Sequence, residues 1–413
     1  MRKGILLSLL FFTIVLNAAT TFTVDGITYT SSTTGVANVG TNNKCVGNII
    51  IPDTVYYDGK IYSVQSINSS AFKGDTLLTS IVIPRTITSI KSDAFTGCTN
   101  LKTVKWNAVK CANFSTTTAP FKDLANIDSI AFGNEVETIP AYLCYKMSGL
   151  KCTIVIPNNI NTIGMGAFYQ CNNVTNVVIE DGENELNNGH SSYSSSGGGW
   201  GDYGYEGYTA YSYTFQHCNV QHIYIGRKVK SYLFGNYNSS WGNGSNSSNN
   251  YKNSTVKSIV YGKDQTYMEK YCKNLESLTF KENVHSIVSG FSSTQLREVY
   301  VYWQDPPTIS ESYFTSEAYS NAILHVPTGT TPAYKSRTGW KNFNIIEDGP
   351  QFILGDVNGD GKVSIGDVTR LIDIMLSNED YTSIIKFGDF NNNGKFDIGD
   401  VSSLIYYLLS MDS

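Results

Sequence analysis

The feature that most restricts this chain is a repeat. Ile67, Ala71, Phe72, Leu78, Ile81 and Ile83 recur 23 positions later as Ile90, Ala94, Phe95, Leu101, Val104 and Trp106. The pattern returns at Ile163, Ala167, Phe168, Cys171, Val174, Val177 and Ile179, while Ile139, Leu143, Cys144, Leu150, Ile154 and Ile156 form an offset copy. Phe215–Val220–Ile223–Ile225, Leu275–Leu278–Phe280 and Leu296–Val299–Val301 carry it further, with the spacing tightening to 21. Each unit offers a three-residue strand such as Ile81-Val82-Ile83, whose first and third side chains point one way and the middle one the other. A turn follows, then an Ala-Phe segment that fills the space behind the strand. One unit cannot bury its own apolar face, whereas a stack buries a continuous core. The expectation is a β-rich solenoid of short parallel strands, centred near residues 82, 105, 131, 155, 178, 224, 260, 279, 300 and 324.

The unit resembles the BspA-type leucine-rich repeats of secreted bacterial proteins, which read approximately L-x-x-[IV]-x-[IV]-P…[IV]-x-x-I-x-x-x-A-F-x-x-C-x-x-L. LTSIVIPRTITSIKSDAFTGCTNLKTV (78–104) matches that unit almost position by position. FTVDGITYT (22–30) resembles the opening strand of such proteins and ILHVPTGTTPAYKSRTGWKNFNIIED (323–348) their C-terminal cap, so the resemblance covers about residues 22–348. It implies a leucine-rich-repeat solenoid and an association with adhesion. Two segments interrupt the pattern: 181–213, rich in Gly, Ser and Tyr, and 236–253, rich in Asn, Ser and Gly. They read as adaptable recognition loops or as insertions tolerated at a solenoid edge.

The ends say more. Arg2 and Lys3 precede an apolar run from Ile5 to Leu16, followed by Ala18, Ala19 and Thr20, the layout of a secretory signal over residues 1–19. That run falls short of the roughly 20 residues of a spanning helix, and no second candidate exists, so the mature protein is expected outside the cell or at its surface, the periplasm included. After Gly349-Pro350 the composition changes. Asp356-x-Asn358-x-Asp360-Gly361, then Ser364 and Asp367, recurs 33 residues later as Asp389-x-Asn391-x-Asn393-Gly394, then Asp397 and Asp400. Oxygen-bearing residues at loop positions 1, 3, 5, 9 and 12, Gly at 6, and the position-7 carbonyls of Lys362 and Lys395 are what a hard cation requires. Without a soft ligand, two Ca²⁺ ions are expected. Each loop leads into an amphipathic helix: Val368, Leu371, Ile372, Met375 and Leu376 are repeated by Val401, Leu404, Ile405, Leu408 and Leu409, stripes expected to pack face to face.

This duplicated loop–helix, with Asp at position 12 where an EF-hand has Glu, resembles a type I dockerin over about residues 353–412. The resemblance implies calcium binding and attachment to a cohesin-like partner. Dockerins usually carry recognition residues at loop positions 10 and 11, often a hydroxyl pair. Here those positions hold Ile365-Gly366 and Ile398-Gly399, with Arg370 and Ser403 as further docking candidates just beyond. The expected segments are a signal at 1–19, an N-terminal strand and cap region at 20–66, repeats at 67–322, a cap and linker at 323–350, and a dockerin-like domain at 351–413.

No catalytic constellation is present. H-E-x-x-H, G-x-S-x-G and the phosphate-cradling G-x-x-x-x-G-K-[ST] are missing, and the five His are scattered. His217-Cys218 could suggest a thiol nucleophile, but Cys218 falls in the repeat column of Cys98, Cys171 and Cys272, where a small buried hydrophobe belongs. Cys45, Cys111, Cys144 and Cys152 could form disulfides in an oxidising compartment, with connectivity open. A net charge of −5 argues against nucleic-acid binding. The ligand-face candidates are the middle strand residues, Val82, Lys105, Ala131, Val155, Val178, Tyr224, Val260, Thr279 and Tyr300, an apolar stripe for an exposed surface. The reading is a secreted, non-enzymatic recognition or adhesion protein, with a protein or glycan ligand on the solenoid and a calcium module that docks or stabilises it. The alternative is a non-catalytic component of a polysaccharide-degrading complex, recruited through a cohesin.

Overall fold

The structure, a computed structural model, describes residues 20–33, 35–42, 45–188, 214–215, 217–231, 233, 255–270, 272–347, 355–358, 363–377, 388, 390–391 and 397–411. The expected signal at 1–19, most of the first insert and all of the second lie outside them. Two compact units form, one from residues 1–256 with 265–269, the other from 257–264 with 270–413.

In the first unit, parallel strands run at Gly47–Ile50, Leu78–Ile83, Thr103–Trp106 and Ser129–Phe132, then at Ile154–Ile156, Asn176–Ile179 and His222–Ile225. The second unit continues the theme with Ser258–Tyr261, Ser277–Phe280, Glu298–Val301, Ile323–His325 and Asn344–Ile346. All ten expected strands are present. Gly47–Ile50 and Asn344–Ile346, where the repeat is too degenerate to read, are additional. Their burial alternates as the pleat demands: Ile81 and Ile83 are buried with Val82 half-buried between them, and Ile154 and Ile156 flank exposed Val155.

Behind the strands sit turns whose inner side chain is most often Phe, with Ala-Phe at 71–72, 94–95 and 167–168. Phe72 stacks on Phe95 at 5.4 Å, Phe95 meets Phe121 at 5.1 Å, and Phe168 stacks on Phe215 at 5.1 Å. Turns also bond to one another through the main chain, as in Phe72 N–H to the Ala94 carbonyl at 2.8 Å. An asparagine ladder runs along the surface: the Asn100, Asn173 and Asn219 amides donate to the carbonyls of Thr76, Ser148 and Asn172 at 2.7, 2.5 and 2.7 Å. Gly149 takes the same column, where a Cβ would lie 2.0 Å from the Ala125 carbonyl oxygen.

A second, thinner ladder runs beside the first. Thr138–Ile139 pairs with Thr162–Ile163, which pairs with Asn187–Asn188. Residues 181–188, read from sequence as the start of an insert, therefore belong to the solenoid, because the acidic turn leads back into a ladder strand. Beyond it, side chains replace strands. Gln265 accepts from Val229 N–H at 3.0 Å and donates to the Arg227 carbonyl at 3.0 Å, while the Glu269 carboxylate accepts from Leu233 N–H at 2.6 Å. Burial pushes the Glu269 carboxyl up from 4.5 to about 7. Arg227 is buried, its guanidinium donating to the carbonyls of Asn158 and Pro157 at 2.6 and 2.8 Å.

The N-terminal cap is a six-stranded sheet built mainly from residues 20–67. In the second unit two short helices, α1 (Ser316–Asn321) and α2 (Thr331–Ser336), bring buried aromatics over the last strands. Trp340 donates its indole N–H to the Pro307 carbonyl at 2.7 Å, and the Tyr334 hydroxyl donates to the Trp303 carbonyl at 2.9 Å. No cysteine pair is bonded. Cys144 sits in the phenylalanine column, its N–H on the Ala167 carbonyl as Phe72 N–H is on Ala94, and Met147 takes the column of Cys98 and Cys171.

Candidate ligand face and calcium loops

Within each unit the middle residues of the strands stand in register. In the first unit Val82 stands beside Lys105 and Lys105 beside Ala131, then Val155 beside Val178 and Val178 beside Tyr224. In the second unit Val260, Thr279 and Tyr300 follow one another. The row extends past the sequence candidates to Ile50, beside Val82, and to His325 and Ile346, beyond Tyr300. Lys105, Ala131 and Val155 are exposed, while Val82, Val178, Tyr224, Val260, Thr279 and Tyr300 are half-buried by their neighbours.

The stripe is less apolar than its middle residues suggest. A second outward row lies two residues earlier in each strand: Ser80, Thr103 and Ser129, then Asn176 and His222, and in the second unit Ser258, Ser277 and Glu298. Period-two geometry places both rows on one face, and that rule was the available signal. Polar contacts fix the aromatic members. The Tyr224 hydroxyl donates to Asp181 at 2.5 Å, Tyr300 stacks on His325 at 4.2 Å, and His325 Nε2 lies 2.5 Å from Glu298 Oε2.

The terminal module repeats its geometry as it repeats its sequence. Helices α3 (Ile365–Ser377) and α4 (Ile398–Met411) each begin at loop position 10. The position-12 carboxylates of Asp367 and Asp400 are fully buried. Asp367 accepts from Asn358 N–H at 3.0 Å and Ser364 N–H at 2.8 Å; Asp400 accepts from Asn391 N–H at 3.2 Å and Asp397 N–H at 2.8 Å. At position 9, the Ser364 hydroxyl accepts from Gly366 N–H at 3.1 Å and the Asp397 carboxylate from Gly399 N–H at 2.8 Å. Asp356 is buried too.

These residues fit a hard cation. Buried carboxylates require a partner charge, and among the described residues no lysine or arginine pairs with Asp367 or Asp400. The side chains of Asp356, Asn358, Ser364 and Asp367, and of Asn391, Asp397 and Asp400, supply oxygens from loop positions that suit Ca²⁺. Asp360, Lys362, Asp389, Asn393 and Lys395 lie outside the described residues, and among those described no three His, Cys, Asp or Glu side chains gather as a metal cluster.

The helices meet through Val357, Val368, Leu371, Ile374, Val401 and Leu404, with Val363, Met375, Phe390 and Leu408 packed at the edge. Here the expected stripes need correction. Ile372 and Ile405 are 38% exposed, Leu376 is 80% and Leu409 64%, whereas Ile374 is buried. Among the described residues each helix packs one narrow face against the other, and the wider stripe turns partly to solvent. Position-10 residues Ile365 and Ile398 are also strongly exposed, at 71% and 69%. Gly366 and Gly399 sit against loop side chains, a Cβ there lying 3.1 Å from Asn358 Nδ2 and 2.8 Å from Asp397 Oδ1. Arg370 and Ser403 are half-buried. The exposed, duplicated surface is thus Ile365, Ile372 and Leu376 with Ile398, Ile405 and Leu409.

Fold and site together define a leucine-rich-repeat solenoid followed by a small helical module of dockerin type. The BspA type leucine rich repeat region matches in six copies over residues 65–196 and 209–321, and the dockerin type I domain matches over 354–409. The chain belongs to the BspA-type leucine-rich repeat family. Among solved structures it is similar to a leucine-rich repeat protein from Bacteroides ovatus, with 14% identity, 79% of this chain and 99% of that one covered, and a TM-score of 0.30. It is also similar to a leucine-rich repeat protein from Bacteroides capillosus, at 19% identity, 38% and 96% coverage and a TM-score of 0.26. The leucine rich repeat protein of T. pallidum matches at 20% identity, 37% and 68% coverage and a TM-score of 0.28. A search of curated proteins gave no match. Among the described residues no helix is long and apolar enough to cross a membrane.

Proposed function

We propose that this is an exported, non-enzymatic recognition protein whose solenoid binds a protein or glycan ligand along the two outward strand rows. Its terminal module would hold two Ca²⁺ ions and dock to a cohesin-like protein. The proposal takes residues 1–19 as the secretory signal, 20–66 as the cap region, 67–322 as the repeats, 323–350 as cap and linker, and 351–413 as the docking domain. Bound calcium would neutralise the buried carboxylates. Asp356, Asn358, Asp360, Lys362 through its carbonyl, Ser364 and Asp367 would hold one ion, and Asp389, Asn391, Asn393, Lys395, Asp397 and Asp400 the other. Asp367 and Asp400 also gather the main-chain N–H groups of positions 3 and 9 and so set the angle at which α3 and α4 leave the loops.

The observation that carries this reading is the duplicated loop–helix with its match to the type I dockerin, joined to a chain otherwise made of BspA-type repeats. The same match favours a second reading, in which the protein is a non-catalytic member of a polysaccharide-degrading complex. The test applies the purified full chain to a panel of immobilised type I cohesin modules, with calcium and with chelator. Calcium-dependent retention that is lost in Ile365→Asp/Ile398→Asp while calcium binding persists supports docking. Calcium binding without retention by any cohesin would remove docking and leave the module a stabilising terminus. Retention by cohesins from a polysaccharide-degrading scaffold would favour the second reading.

A further inference from the structure

The column of small buried residues behind the strands holds one pair of thiols on consecutive turns. Cys98 is followed in its column by Leu124 and Met147, each three residues after the phenylalanine-column position, as their N–H bonds to the carbonyls of Phe121 and Cys144 show. Cys171 and Cys218 come next, three residues after Phe168 and Phe215, whose rings stack at 5.1 Å and 14°. The two turns are locked together by Phe168 N–H on the Thr214 carbonyl at 3.1 Å and by the pairing of Val177 with Ile223. Both cysteines are buried, the Cys171 thiol donating to the Cys144 carbonyl at 3.1 Å and the Cys218 thiol to the Phe168 carbonyl at 2.9 Å. Each thiol thus points to the phenylalanine-column carbonyl of the turn before it, which sets the two side chains one above the other in the column.

The strands of the two turns stack about 4.8 Å apart, and turn residues that keep this spacing fall inside the window of about 4.4–6.8 Å between Cα atoms that a disulfide spans. We propose that Cys171 and Cys218 are joined by a disulfide in the exported protein, stapling two solenoid turns and closing the chain between them into a loop. This rests on the export reading, because such bonds persist in oxidising compartments. Two thiols lose two protons and two electrons to a disulfide oxidant, a low-molecular-weight disulfide or a disulfide-exchange protein, which leaves as its dithiol. Reaction precedes packing, since burial holds the Cys171 thiol far above its ordinary range and out of thiolate form in the folded chain.

The test denatures the full chain, purified from its native exported source, in alkylating reagent without reductant, followed by digestion and mass spectrometry. A linked pair of peptides carrying Cys171 and Cys218, with the other six cysteines alkylated, is expected. Alkylation of both overturns the proposal. A second arm refolds reduced full-length chain in a glutathione redox buffer, which probes the geometry independently of export. Linkage there with free thiols in the native protein would still overturn the disulfide, and would locate the failure in the export reading. Reduction should lower the melting temperature by roughly 5–10 °C. Cys171→Ala and Cys218→Ala should each abolish that reductant-dependent difference, and Cys98→Ala, followed in the same column by Leu124, should keep it. A wild-type melting temperature indifferent to reductant would count against the staple.

Discussion

Replacing Glu269 by Gln should stabilise the protein at pH 8 and change little at pH 5. The carboxylate is buried, and it accepts from Leu233 N–H where the second ladder has run out of strands. Glutamine keeps that acceptor oxygen and removes the charge. Burial raises the carboxyl from 4.5 to about 7 in the folded chain, so the folded state holds a proton that the unfolded chain releases near 4.5. A group of this kind contributes its full stability below about 4.5 and loses it as pH rises through 7. At about 1.4 kcal/mol per tenfold change in proton affinity, the gap corresponds to about 3 kcal/mol, an upper bound for the variant's advantage at pH 8. Urea midpoints of wild type and variant, measured in calcium at pH 5, 6, 7 and 8, give the difference directly, because the other titrating groups cancel. A difference that stays flat across that range, or a variant that loses ground as pH rises, would refute the reasoning.

Calorimetric titration of the full chain should show two Ca²⁺ sites, with Asp367→Ala and Asp400→Ala each removing one; unchanged stoichiometry in either variant would show that the position-12 carboxylate is not a ligand. Phe95→Ala, which empties a place between Phe72 and Phe121, should cost about 3–5 kcal/mol, read from urea unfolding. Val155→Thr, on the exposed face, should stay within about 0.5 kcal/mol. Equal costs at the two positions would contradict the assignment of inner and outer faces.

Much of the site was legible because it is written locally. The proposed calcium positions follow from spacing within a twelve-residue loop, and Asp367 and Asp400 bury at equivalent places because the whole loop–helix is duplicated. The outward row followed from alternation in three-residue strands. The polar row beside it is written in the same alternation, since Ser80 stands two residues before Val82 and Glu298 two before Tyr300, but the middle residue of a three-residue strand does not reveal it. The helix stripes were overextended for a different reason. Periodicity tells which residues share a face, and only the packing tells how much of that face is covered; Leu376 shares the stripe and is left 80% exposed.

The sequence by itself determined the solenoid, the order of its strands and the chemistry of the terminal loops, because each depends on residues close together in a unit that is then copied. Only the tertiary structure decided what happens where copies fail to match. It placed Gly47–Ile50 and Asn344–Ile346 in the sheets and let the side chains of Gln265 and Glu269 take over from a missing strand. Those choices turn on which main-chain groups a neighbouring turn leaves unpaired. A buried N–H must find an acceptor, and which residue supplies it depends on what the fold has brought alongside.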